Sequence, residues 1–198
     1  MKILNLYSGI GGNRKLWGNA DVTAVEIDPK IARVYQDMFP LDKVIVGDAH
    51  QYLLDHYSEF DFIWSSSPCQ SHSSFRFNIG VRFRGVKPVY PEMALYQEII
   101  FLKHHFKGLW VVENVNPYYE PLIKPTVVLQ RHLFWSNFPI AEKLFEKEKL
   151  REIQIPQLHA LYGYDLSGYK LKNKRQVLRN CVTPEVGEYV LAAAQVAE

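Results

Sequence analysis

Apolar residues recur along this chain in short runs, each closed by a polar, glycine-rich or proline-rich break. Ile3 to Tyr7 reads as a buried strand, followed by the turn Ser8-Gly9-Ile10-Gly11-Gly12 and a short helix over 13–17. Val22 to Val25 is a second strand, closed by Glu26-Ile27-Asp28. Pro29 then opens a helix that carries Ile31, Val34, Tyr35 and Met38 on one face. Lys43 to Val46 is a third strand ending at Gly47-Asp48, Gln51 to Tyr57 a helix, and Phe60 to Trp64 a fourth strand. Residues 68–91 read as a long polar loop. Glu92 to Phe106 is a helix with Met93, Tyr96, Ile99, Ile100 and Lys103 at helical spacing. Leu109 to Val112 is a fifth strand ending at Glu113-Asn114-Val115, and Arg131 to Asn137 a further strand. A charged helix over 141–151, an irregular stretch over 152–176 and a helix from Pro184 to Ala197 complete the chain.

Strands that alternate with helices predict an α/β fold with a mostly parallel sheet. In such sheets ligands bind beyond the carboxyl ends of the strands. Ser8 to Gly12, Glu26, Asp48, Pro68-Cys69 and Glu113 each follow a strand, so five polar or glycine-rich groups share one edge.

Composition narrows this reading little. The 198 residues make one domain, and 47% apolar with 14% aromatic residues is enough for a core. A net charge of +2 neither demands nor excludes a polyanionic partner, so charge placement has to decide. Two cysteines, Cys69 and Cys181, allow no disulfide framework. The N-terminus has no signal-peptide pattern, and no apolar run has the length of a membrane helix, so the expectation is a soluble cytoplasmic protein with no membrane partner.

The glycine turn lets a backbone pass close to a ligand, and an acid at the end of the second strand can accept hydrogen bonds from ribose hydroxyls. Together Gly9 to Gly12 and Glu26 indicate a nucleoside-containing cofactor, NAD(H) or S-adenosylmethionine. The spacing Gly-x-Gly-Gly leaves less of a pyrophosphate cradle and favours the latter. Asp48 can meet an adenine amino group or simply cap the next helix. Cys69 lies between Pro68 and Gln70. Glu113, at the end of a neighbouring strand, suits acid chemistry on a ring nitrogen beside a thiol.

Two stretches carry cations without an acid: Arg76, Arg82, Arg84 and Lys87, and then Lys170, Lys172, Lys174, Arg175 and Arg179. Phe75, Phe77 and Phe83 interleave with the first, which follows the thiol directly. That arrangement suggests contacts to nucleic-acid phosphates. His50, His56, His72, His104, His105, His132 and His159 show no metal-ligand spacing with either cysteine, so no metal is assigned.

The ordered set resembles the cytosine-C5 DNA methyltransferase family. Its matching residues are Leu6-Tyr7-Ser8-Gly9-Ile10-Gly11-Gly12, Val25-Glu26-Ile27-Asp28, Gly47-Asp48, Ser67-Pro68-Cys69-Gln70, Glu113-Asn114-Val115 and Arg179-Asn180-Cys181-Val182-Thr183-Pro184. The resemblance implies a Rossmann-like class I S-adenosylmethionine-dependent methyltransferase fold, with helices on both faces of the sheet and one catalytic domain over 1–198. It implies that Cys69 adds as thiolate to C6 of a flipped-out cytosine while Glu113 holds N3 and the exocyclic amine. C5 then takes the methyl group of S-adenosylmethionine, and loss of the C5 proton with elimination of the thiol releases 5-methylcytosine and S-adenosylhomocysteine. Arg131 and His132 stand near the family's arginine-bearing stretch and join the catalytic set. Tyr7, Ser8, Gly9, Ile10, Gly11, Gly12, Glu26, Ile27, Asp48, Ala49, Pro68, Asn180 and Val182 fall at cofactor positions. Gln70, Ser71, Arg76, Arg82, Arg84, Lys87, Lys172, Lys174 and Arg175 fall at DNA-facing ones.

This chain departs from the family's pattern in three places. Ser67 replaces a proline, Arg179 replaces a glycine, and Gln130-Arg131-His132 keeps one arginine of an expected pair. The target-recognition region is also reduced to an insert over 138–176, with Tyr162, Tyr164, Tyr169 and Lys170 to Arg175 as its base-reading candidates. The resemblance therefore implies double-stranded DNA as partner with a short or relaxed target of about two to four base pairs. It also raises self-association as a homodimer on DNA, a companion restriction endonuclease, and a bacterial or phage-infected host cell as the setting. Methylation of tRNA, a non-catalytic nucleic-acid-binding module and an NAD-linked oxidoreductase are the competing readings.

Overall fold

The structure, a computed structural model, describes residues 1–146 and 153–197. Strands β1 (Lys2–Leu6), β2 (Asp21–Glu26), β3 (Lys43–Val46), β4 (Phe62–Ser65), β5 (Leu109–Val115), β6 (Val127–Leu129) and β7 (His132–Ser136) form one sheet in the order β3-β2-β1-β4-β5-β7-β6. The first five run parallel. Strand β7 lies antiparallel between β5 and β6. The mostly parallel, Rossmann-like sheet expected from the sequence is present, with helices packed on both faces.

Alternation along each strand sends side chains to two cores. Ile3, Phe62, Trp64, Val111 and Phe134 pack on one face against Val186, Val190 and Leu191 of helix α7 (Pro184–Ala197). Leu4, Leu6, Ile63, Val112 and Leu133 pack on the other, against Leu53 of α2 (Ala49–His56) and Leu95, Ile99 and Leu102 of α4 (Ala94–His105). A third cluster joins Val34 of α1 (Pro29–Met38) to Leu158 and Tyr162 of α5 (Ile155–Tyr162) and Leu178 of α6 (Lys174–Arg179). Among the described residues no helix is long and apolar enough to cross a membrane.

Several expectations need correction. Residues 13–17 form successive i→i+3 turns, not a helix, with Arg14 N–H bonded to the Gly11 carbonyl and Trp17 N–H to that of Arg14. The cause is packing: Gly187 of α7 lies so close that a Cβ there would stand 2.2 Å from the Asn13 carbonyl oxygen, and the Asn13 amide donates to Asn5 at 2.9 Å. The loop after Cys69 contains a π-helical turn (Arg76–Val81) running into α3 (Arg82–Arg84), stopped at left-handed Gly85. On α4 the buried face is Leu95, Tyr96, Glu98, Ile99 and Leu102, while Met93 and Ile100 are exposed. Strand β5 runs on through Glu113 to Val115 because β7 pairs with it there. Strand β6 has only three residues and gave no periodic signal. Residues 141–146 have no regular element, and the rest of the expected charged helix lies largely outside the described residues. Of the expected irregular stretch over 152–176, the described residues hold two helical segments: Gln154 and Gln157 form a reciprocal cap that starts α5, and Asn173 caps α6.

One buried ion pair locks the segment behind the glycine turn. Arg14 donates from Nε and Nη2 to both oxygens of Asp42 at 2.9 and 3.0 Å, and the Tyr35 hydroxyl donates to Asp42 at 2.8 Å. Removing one partner strands the other charge without solvent. Asp42→Ala is therefore expected to lower unfolding free energy by about 3–5 kcal/mol, read as a shift of the urea midpoint.

Candidate active site

The carboxyl ends of β1, β2, β4 and β5 open onto a cleft of about 280 Å³, lined among others by Ser8, Gly9, Glu26, Pro68, Cys69, Glu113, His132, Asn180 and Val182. It shares Tyr7, Glu26, Ile27 and Pro68 with a second hollow of about 360 Å³ that reaches Asp48 and Ala49. Most sequence-predicted cofactor positions thus surround one two-part cavity. Ile10 and Gly11 stand behind its wall. Ile10 is buried in the core with Val34 and Leu158, and a Cβ on Gly11 would stand 2.4 Å from the Phe39 ring. Gly12 is required by packing too, since its Cβ would meet Cys181 Cβ at 2.5 Å. Only Gly9, at φ +55° with open space where a side chain would stand, has the freedom a close ligand approach uses.

Glu26 closes β2 with each carboxylate oxygen accepting one backbone N–H, from Gly9 at 3.0 Å and from Asp28 at 2.9 Å. Burial raises its pKa, and these two bonds oppose the rise. The Ile27 N–H acts on the carboxylate as well, which leaves at least one lone pair for a hydroxyl donor. Asp48 caps α2 by accepting from His50 N–H at 2.8 Å and Gln51 N–H at 3.2 Å, and it also edges the hollow. Ser8 Oγ is buried at the cleft with no protein partner.

Cys69 is half-buried where the chain leaves β4. Its carbonyl accepts N–H bonds from His72 and Ser73, which turns the chain away from the thiol. Burial pushes the thiol up to about 11, nearby Glu113 adds to the rise, and the Arg131 charge opposes it. Glu113, buried on β5, is pushed up to about 7 by burial, against a hydrogen bond from Ser66 and the Arg131 charge. Beside it, Asn114 donates to the Ser67 carbonyl and hydroxyl at 3.0 and 3.1 Å, tying β5 to the turn that carries Cys69. His132 Nε2 stands 3.7 Å from Glu113 Oε1, and burial holds the imidazole neutral, well below its ordinary pKa. Arg131 does not line the cleft. Its guanidinium donates to the carbonyls of Arg179 at 2.7 Å and Cys181 at 3.0 Å, which fixes the chain that brings Asn180 and Val182 to the cavity.

The expected nucleic-acid residues divide. Gln70 edges the cleft, and Arg82, Arg84, Lys87 and Lys172 are exposed. Ser71 Oγ accepts the Glu92 N–H, Arg76 donates to the Lys87 carbonyl, Lys174 donates to the Ser167 carbonyl, and Arg175 is half-buried. Among the described residues no group of three or more His, Cys, Asp or Glu side chains stands where it could hold a metal.

Glu98 escaped the sequence reading. It is wholly buried on α4, accepts from the Tyr7 and Ser65 hydroxyls at 2.5 Å each, and meets His50 Nδ1 at 2.9 Å. Tyr7 has φ +54°, a backbone region unfavourable for a side chain, and its bond to Glu98 helps to hold it there. The only available signal was an acid inside an otherwise apolar helix face. Glu98→Gln replaces an acceptor-only group with one that must also donate. It is expected to cost about 1–3 kcal/mol of stability in urea unfolding and to weaken cofactor binding by calorimetry through release of Tyr7. Glu98 also raises the pKa of His50. That contribution is full below the ordinary value of 6.5 and is lost as pH climbs through the raised one.

The sheet thus gathers a two-part cavity, a thiol and a buried carboxyl beyond the carboxyl ends of its parallel strands. Residues 1–83 match the family model of the C-5 cytosine-specific DNA methylases, a stretch that includes the glycine turn, Glu26, Asp48 and Cys69. S-adenosylmethionine is the family's cofactor, and the residues present fit it: open Gly9, unpartnered Ser8 Oγ and the Glu26 carboxylate line the first hollow, and Glu26 also lines the second. No curated protein matches significantly. Solved structures with a similar arrangement include a hypothetical protein from Thermus thermophilus (16% identity, TM-score 0.45, 68% of this chain and 73% of that one). Others are DNMT2 from Spodoptera frugiperda (26%, 0.39, 58% and 35%) and a SAM-dependent methyltransferase from Agrobacterium tumefaciens (17%, 0.40, 60% and 40%). The chain thus spans about a third of the length of the Spodoptera protein.

Proposed function

We propose that the protein is a DNA cytosine-C5 methyltransferase with a short or relaxed target. The observation that carries this reading is that Cys69 and Glu113, from adjacent parallel strands, line one cleft with Ser8, Gly9 and Glu26. Cytosine C5 is a poor nucleophile. Addition of the Cys69 thiolate to C6 moves electrons toward N3 and makes C5 enamine-like. Glu113, with its pKa near 7, gives its proton or a short hydrogen bond to N3 and stabilises that charge. Neutral His132 presents an imidazole beside Glu113 and helps to fix its orientation. Ser8, Gly9, Glu26 and Asp48 would hold S-adenosylmethionine, which would supply an electrophilic methyl group to C5 and leave as S-adenosylhomocysteine. Transfer of the C5 proton to water then drives elimination: the C5–H electrons form the C5=C6 bond, the C6–S bond breaks to free the Cys69 thiolate, and the N3 proton returns to Glu113. Arg131 acts from outside the cleft, through its charge and its grip on the 179–181 backbone.

Bisulfite sequencing of plasmid DNA from an expressing host tests the reading. Modified cytosines at short, loosely related sites are expected. Absence of 5-methylcytosine from plasmid and from single-stranded DNA alike, despite folded, cofactor-binding protein, would overturn it. Competition between DNA and tRNA in a methyl-transfer assay distinguishes the substrate classes, and preferential labelling of tRNA would move the assignment to RNA. Self-association on DNA would widen the small contact surface, and a monomeric DNA complex by light scattering would count against it.

A further inference from the structure

The tyrosines expected to read base edges are buried or bonded within the protein, while Lys170 and Lys172 stay exposed. Tyr162 and Tyr164 are 1% and 2% exposed and pack with Ile10, Val34 and Leu178. The Tyr164 hydroxyl donates to the Gly11 carbonyl at 2.7 Å, and that of Tyr169 to Asp37 at 3.1 Å. Groove readout needs an element that projects into the duplex. Here α5 lies flat on the back of the glycine turn.

The arm that follows Cys69 is the opposite case. Phe83 is 80% exposed and Tyr90 95% exposed, interleaved with exposed Arg82, Arg84 and Lys87 and with no acid between Gln70 and Pro91. The arm is also held in shape. Ser71 Oγ accepts the Glu92 N–H at 2.9 Å across its base, Arg76 donates to the Lys87 carbonyl at 3.2 Å, and Phe77 stacks on Tyr118 with ring centres 4.5 Å apart. Exposed aromatic faces alternating with cations on a braced loop suit strands whose bases are free to stack, with the cations on phosphates. A paired duplex hides those base faces. It would also charge the full unstacking cost of the target to a protein with little surface to offset it.

We propose that the substrate is an unpaired cytosine in single-stranded or locally opened DNA, with neighbouring bases stacked on Phe83 and Tyr90 and their phosphates held by Arg82, Arg84 and Lys87. This inference rests on the function proposed above and narrows its substrate from duplex to unpaired DNA. The test uses the full chain and three oligonucleotides of one sequence: a single strand, a blunt duplex, and a duplex with the same cytosine in a mismatched bubble. Methyl transfer and fluorescence anisotropy are read at one fixed salt concentration. Single strand and bubble are expected to be methylated at least about tenfold faster than duplex and bound more tightly. Phe83→Ala with Tyr90→Ala should erase that preference while leaving cofactor affinity and thermal unfolding unchanged. Equal or better methylation or binding of the blunt duplex would overturn the inference and leave the methyltransferase reading standing. So would a double variant that keeps the preference. If no substrate is methylated, the function proposed above fails. The anisotropy then still decides: tighter single-strand binding that the double variant loses supports the stacking arm, and its absence overturns it.

Discussion

Cys69→Ser is expected to reduce methyl transfer to background while the variant folds and binds S-adenosylmethionine like the parent. The change removes only the sulfur. Burial already pushes the thiol up to about 11, so the reactive thiolate is a minor species, and a serine hydroxyl ionises far less readily. Without addition at C6 the C5 carbon has no enamine character. The cofactor wall at Ser8, Gly9 and Glu26 comes from β1 and β2 and does not depend on the sulfur. Calorimetric titration with the cofactor, beside a tritium-transfer assay, checks both halves. Retained turnover would remove Cys69 from the nucleophile's role.

Glu113→Gln is expected to lower kcat by about 10²- to 10⁴-fold, the usual range for loss of a positioned acid, and to change the pH profile in shape. The active form needs Glu113 protonated and Cys69 ionised, with pKa values of about 7 and about 11. Below pH 7 the thiolate fraction rises with pH while Glu113 stays protonated, so kcat/KM climbs. Between the two values one fraction grows as the other falls by the same factor, so the profile is level. The amide cannot ionise. In the variant the residual rate should therefore keep rising about tenfold per pH unit through 7 to 9, where the parent is flat. A variant as level as the parent above pH 7 would show that the Glu113 proton is not the one required.

Much of this was legible in the sequence because each signal was local. Alternating apolar runs placed β1 to β5, and strand order brings their polar ends together whatever lies between. Cys69, Glu113 and Glu26 needed only the strand ends to be found. What was not legible depends on tertiary contact. Ile10 and Gly11 share a motif with Ser8 and Gly9, yet the turn sends them toward Val34, Tyr35 and Phe39 rather than the cavity. Arg131 and His132 are adjacent, but only His132 enters the cleft, because Arg131 finds two backbone carbonyls instead. The tyrosines of 162–169 look like recognition residues in a polar stretch and become core once α5 docks on α1. Glu98 gathers partners from β1, β4 and α2, and none of them is near it in sequence.

The central claim is that Cys69 attacks cytosine. A single-stranded oligonucleotide and its duplex, each carrying 5-fluorocytosine, test it most directly when incubated with the protein and S-adenosylmethionine. Fluorine cannot leave C5 as a proton does, so the addition cannot be reversed by elimination. The expected result is a denaturation-stable complex whose mass equals protein, oligonucleotide and one methyl group, with the modified peptide mapping to Cys69. A folded, cofactor-binding protein that forms no adduct, or one joined through Cys181, would contradict the account.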